Sequence, residues 1–125
     1  MDENMKNLTS MDDEEIEQAK AEAKKAQDLF TLKFRKPFTY ESVEYDELQF
    51  DFESLTGNDS LQIEAEINRT GQQVAVPAFS GEFIVRMAAR ACTAPIGHDA
   101  MRLMSMRDWH RLRARARNFL MASEL

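Results

Sequence analysis

The sequence predicts an α+β fold: an acidic, flexible N-terminal arm, a bulged β-hairpin, then about four α-helices. Three observations predict it. Charge is divided along the chain, with 18 acids and 7 bases in residues 1–68 but 4 acids and 9 bases in 69–125. Apolar residues alternate with a period of two between Phe30 and Phe52. After Ser80 they recur every three or four residues, as on one face of a helix. A length of 125 residues suits one domain, 28–125, preceded by an arm, 1–27.

The arm is rich in Asp, Glu, Lys and Ala, and Ile16 is the one large apolar side chain between Asp12 and Gln27. Burial there cannot offset the entropy of ordering, so a partly helical arm open to a partner is expected.

The hairpin is expected over about 30–52. Phe30, Leu32 and Phe34 form one face of the first strand; Leu48, Phe50 and Phe52 form one face of the second. A two-residue turn at Glu41-Ser42 sets Tyr40 opposite Val43 and Phe38 opposite Tyr45. Continued unbroken, that register sets Phe34 against Gln49, inner face against outer. One extra residue near Lys36-Pro37 would repair the fault and pair Phe34 with Leu48.

Thr56, Asn58 and Asp59 are candidate helix caps. The stretch 60–68 reads either way: Leu61, Ile63, Ala65 and Ile67 alternate as in a strand, while Leu, Glu and Ala favour a helix. A helix over about 58–69 is the preferred reading, and its second apolar row, Ile63 and Ile67, is a candidate partner surface.

Three more helices are expected, over about 80–93, 98–104 and 106–121. Ser80 caps the first, where Phe83 and Met87 share the core face and Glu82, Arg86 and Arg90 form a solvated row. The Pro95–Gly97 turn leads to the second, carrying Met101 and Met104. Ser105 and Asp108 open the third in the manner of a capping box. Trp109, Leu112, Ala116 and Phe119 make its apolar stripe. The expected core is therefore Phe34, Phe50, Phe83, Met87, Trp109, Leu112 and Phe119.

Chemistry is sparse. His98, Asp99, Asp108 and His110 lack metal-ligand spacing and read as solvated helix-end residues. No nucleophile motif or phosphate loop occurs, so no catalytic residue, metal or cofactor is expected. The single cysteine, Cys92, sits among apolar helical residues and suits a reducing compartment. No apolar run reaches the length of a membrane span, and the polar first residues are not ordered as a signal peptide. Arg107, Arg111 and Arg115 form a helical row beside the apolar stripe. Arginines so placed suit acidic protein surfaces, another copy's Asp12–Glu17 run among them, better than nucleic acid. With Met101 and Met104, whose thioethers adapt to varied partners, they complete the candidate partner-binding set.

The order of pieces, a polar leader, the hairpin LKFRKPFTYESVEYDELQF, LTGNDSL, then helices to Leu120, resembles the tail assembly chaperones of long-tailed bacteriophages and prophages. The resemblance rests on Pro37, Phe38, Tyr40, Tyr45 and Leu48, on Thr56-Gly57 with Asp59, and on Phe83 with Ala88-Ala89. It continues at Pro95, at Leu103 with Asp108, and at Phe119-Leu120. It implies a non-enzymatic protein of the host cell cytoplasm that binds the tape-measure protein and keeps it soluble. It also implies help in recruiting the tail-tube protein, absence from the mature virion, and self-association into a ring or helical array. The contrasting expectation is a small DNA-binding regulator using the Arg107–Arg117 helix.

Overall fold

Alternating apolar side chains build an antiparallel hairpin of two strands, β1 (Phe30–Tyr40) and β2 (Val43–Phe50). The computed structural model describes residues 13–123. Ahead of the hairpin runs α1 (Asp13–Asp28). After it come α2 (Gly57–Arg69), α3 (Gly81–Ala91), the single turn α4 (His98–Met101) and α5 (Met106–Ser123). Short 3-10 turns at Phe52–Ser54 and Pro77–Phe79 flank α2 and α3. The class is α+β, as the sequence predicts. Of the expected flexible arm, residues 1–12 lie outside the described residues, and Asp13–Asp28 is one helix.

The hairpin's irregularity falls between Lys33 and Phe38, and it is larger than expected. Phe34 to Pro37 on β1 stand against Asp46 alone on β2, three extra residues rather than one. Leu32, not Phe34, therefore faces Leu48. The cause is tertiary: the N–H groups of Arg35 and Lys36 leave the ladder and donate to the Asp108 carboxylate, while Pro37 has no N–H to lose. An odd number of extra residues still exchanges the faces, so Leu32, Phe34, Leu48 and Phe50 all point into the core. At the turn, Glu41 and Ser42 have φ of 50° and 67°, the left-handed pair of a type I′ hairpin.

The second strand also gains a partial neighbour. The chain leaving α3 lies beside its end, with Thr93 N–H donating to Gln49 O at 2.9 Å and Asp51 N–H to Ala91 O at 2.8 Å. This clamps the hairpin to α3 and shields part of an open strand edge.

Residues 60–68 are helical. Thr56 accepts from the Asp59 N–H while Asp59 accepts from the Thr56 N–H, a full capping box that favours helix over strand. The apolar row that packs inward is Ile63 and Ile67, each 1% exposed, which removes both from the candidate partner surface. Leu61, on the other row, is 66% exposed.

On α3, the Ser80 hydroxyl caps the Phe83 N–H, and Phe83, Ile84, Met87, Ala88 and Ala91 are buried. Arg86, expected in a solvated row, is only 8% exposed because α2 lies over that side of the helix. The helix expected over 98–104 ends at Met101, and Leu103 turns outward. Along α5, Leu112 and Ala116 are fully buried. The expected core holds at Phe34, Phe50, Phe83, Met87 and Leu112, but Trp109 and Phe119 sit half-buried at its rim. Phe119 stacks on Phe52, ring centroids 5.4 Å apart, closing the core beside the hairpin's end.

Candidate interaction surface

The start of α5 is held by Asp108, which has no solvent exposure. Sequence reasoning placed it at a solvated helix end; instead it joins three segments. Its N–H donates to the Ser105 hydroxyl at 3.2 Å, and that hydroxyl donates back to its carboxylate at 3.0 Å. Arg35 and Lys36 N–H groups and the Arg111 guanidinium supply the remaining donors. Burial alone would push this carboxyl up; the N–H bonds of Arg35 and Lys36, then Ser105 and Arg111, outweigh it and hold the pKa below the ordinary value.

A second polar network fixes α3 between α2 and α4. Arg90 donates to Asp59 at 3.0 Å, to Gln62 at 2.8 Å and to Glu66 at 2.8 Å. Glu82 receives Arg102 at 2.7 Å and also Arg86. Donation from Arg102, with further help from Arg86, pulls the Glu82 carboxyl down to about 2 against the opposing effect of burial. His98 accepts from Arg102 Nε at 3.3 Å. Its pKa is lowered by burial and then by the charges of Arg86 and Arg102, so the neutral ring fits this contact. The tip of the hairpin is tied to the same region by a hydrogen bond from the Tyr40 hydroxyl to Asp99. That bond raises the Tyr40 pKa to about 12.

These two networks hold the walls of a groove of about 540 Å³ where α3, α4 and α5 meet. Its apolar lining is Val85, Met101, Met104, Met106 and Trp109. Arg113 and the Arg102–Glu82 pair form its charged rim. Met106 is 74% exposed, Leu103 in the adjoining turn 56% and Phe79 on the neighbouring 3-10 turn 68%. Phe79 precedes a helix cap, where a side chain commonly folds back on the first turn, yet it points outward while Ile84 is buried without it.

A shallower hollow of about 640 Å³ runs along the outer side of α5, lined by Met106, Arg107, His110, Arg111 and Ala114. Its lining is chiefly apolar, framed by two guanidinium groups. Among the described residues, no group of His, Cys, Asp and Glu is arranged to hold a metal. No described helix is long and apolar enough to cross a membrane.

The candidate partner residues are thus brought together only in part. Met101 and Met104, at 1% and 6% exposure, are the floor of the groove and not protruding contacts. Arg107 is exposed. Arg111 is partly committed to the fold, donating to Lys33 O at 2.8 Å as well as to Asp108. Arg115 lies over the Phe30 ring, 5.7 Å from its centroid. The residues missed are Met106, Trp109, Leu103 and Phe79. Met106 carried a legible signal, since it falls beside the Arg107 row and off the Leu112–Ala116 stripe.

Compared with protein-family models, curated proteins and solved structures, the chain finds no match.

Proposed function

We propose that this chain is a tail assembly chaperone of a long-tailed phage or prophage, a non-enzymatic protein acting in the host cytoplasm. It binds the tape-measure protein, keeps it soluble and promotes assembly of the tail tube around it, and it is absent from the mature virion. The observation that carries this reading is the methionine-lined groove beside exposed Leu103, Met106 and Phe79. Methionine adapts to varied apolar shapes, and a groove between helices suits the apolar face of an amphipathic client helix. The order of hairpin, capped helices and Asp108-anchored last helix supports the same reading. Three arginines of α5 are engaged within the fold, Arg111, Arg113 and Arg115, which leaves less of the helix for a DNA backbone.

Co-expression with helical segments of the tape-measure protein encoded beside this chain tests the reading. The expected result is a soluble complex that Met106→Glu weakens. A segment that stays insoluble and unbound would sink the proposal, and a salt-sensitive shift of duplex DNA would favour a regulator instead.

A further inference from the structure

We infer that the groove where α3, α4 and α5 meet selects helical segments of one pattern: two apolar side chains one turn apart, with an acid a turn beyond them. Arg113 is the residue that reads the acid. The inference deepens the chaperone reading and rests on it only in taking this groove as the client site.

The α5 wall of the groove is graded along its length. Met106, Trp109 and Arg113 follow at intervals of three and four residues, so they share one face of the helix. They run from apolar through aromatic to cationic over about 10 Å, or about two turns. A second helix laid along this wall has the same pitch. Two of its apolar side chains, one turn apart, therefore meet Met106 and Trp109, and the next residue on that face meets Arg113.

Charge in the groove is matched except at Arg113. Glu82 receives Arg102 at 2.7 Å and Arg86 as well, so the acid of the lining already has its cations. Among the described residues, Arg113 makes no ion pair. Its guanidinium is nevertheless held in place. The side chain is half-buried, and Nη2 donates to Phe79 O at 3.5 Å. It lies over Gly81, where a Cβ would stand 3.6 Å from Nη1. The bond to Phe79 uses one N–H of the planar fork and leaves the others open. A fork fixed in this way loses little further freedom when it takes a carboxylate. Beside apolar walls that exclude water, such a pair is stronger than one on an open surface. Arg107, by contrast, is exposed and lies off this wall.

Titration of the full chain with synthetic helical peptides tests this, read by the emission of Trp109. Each peptide carries two Leu one turn apart and, a turn to either side of the pair, Glu, Gln or Lys. Flanking both sides lets either chain direction present the group to Arg113. The Glu peptide should bind about tenfold more tightly than the Gln peptide at low salt, and the Lys peptide more weakly still. The margin should shrink as salt rises. Arg113→Gln should bind the Glu and Gln peptides alike, with its affinity for the Gln peptide unchanged from the native chain. Arg113→Glu should prefer the Lys peptide, a reversal that a damaged fold would not produce; circular dichroism and thermal melts check both variants. Equal binding of all three peptides by the native chain would overturn the inference and leave the groove as the client site. A Glu preference that survives Arg113→Gln would do the same. Failure of every peptide to bind would also overturn it, and co-expression with tape-measure segments then decides the wider reading separately. Self-association of the native chain that Met106→Glu abolishes would give the groove to a second copy and overturn it too.

Discussion

Both carboxylate oxygens of Asp108 lie 3.1 Å from the backbone nitrogen of Arg35, a residue 73 positions earlier in the chain. The contact links the irregularity of the hairpin between Lys33 and Phe38 to the first turn of the last helix. It explains why β1 leaves its ladder where it does and why a fully buried carboxylate is tolerated. Replacing Asp108 with Asn keeps the shape but removes the charge and one acceptor, and turns an N–H group toward donors. Asp108→Asn should destabilise the protein by about 2–4 kcal/mol in urea denaturation. A loss below about 0.5 kcal/mol would mean that the bulge holds without this contact.

The hairpin turn should be improvable. Glu41 and Ser42 both have positive φ, where a side chain is strained and Asn-Gly is favoured. Replacing the pair with Asn-Gly should stabilise the fold by about 1 kcal/mol, read as a rise in the urea midpoint with an unchanged slope. Both side chains are exposed, so no packing is lost.

Much of this fold was legible because its signals are local. The Glu41-Ser42 turn follows from the spacing of Tyr40 and Val43, and the Ser80 cap from its place before Phe83. The bulge was legible only as a parity fault. Its true length depends on Asp108, which no local pattern connects to Arg35. The choice between the two apolar rows of α2 was equally illegible, since amphipathicity reports that a row exists and not which neighbour covers it. Arg86 shows the same limit: Glu82 at helical spacing suggested a solvated pair, but Glu66 on α2 encloses it. Of the candidate site, the sequence marks Met101 and Met104 but not that they form a buried floor in place of protruding contacts. The groove forms only when the α4 turn is set against α5.

The two rows of α2 give a direct contrast. Ile63→Ala and Ile67→Ala each remove a side chain that is 1% exposed and should cost about 2–4 kcal/mol. Leu61→Ala removes one that is 66% exposed and should change stability by no more than about 0.5 kcal/mol. Equal costs at Leu61 and Ile63 in denaturant titrations would contradict the packing described for this helix.

Acid should weaken the fold in two stages. The pKa of His98 is depressed below 6.5 in the folded state, so the stability tied to its neutral ring is present above that value. It is lost as the pH falls through the depressed pKa and the ring charges beside Arg102 and Arg86. Glu82 has its pKa pulled from 4.5 to about 2, so its contribution is full above 4.5 and drains away as the pH falls toward 2. Melting temperature should therefore decline below about pH 6.5 and more steeply below about pH 4.5. In His98→Gln the first stage should vanish and the second remain; a decline unchanged by that substitution would assign the early stage to other groups.

Trp109 is the chain's only tryptophan, and it lines the proposed client groove while half-buried. Its emission therefore reports occupancy without a label. An apolar helix entering the groove would displace water from the indole and shift emission to the blue, whereas a client bound elsewhere on the surface would leave the spectrum unchanged. Met106→Glu places a carboxylate on a residue that is 74% exposed, so stability should hold within about 0.5 kcal/mol. The same charge would have to be desolvated when an apolar helix docks, so affinity should fall by about tenfold or more. Arg107→Glu is the matched control, a charge change one residue away that faces the other hollow. A blue shift retained in Arg107→Glu and lost in Met106→Glu would locate the client on the methionine side of α5. The reverse pattern would move it to the arginine side and leave the groove without its proposed role.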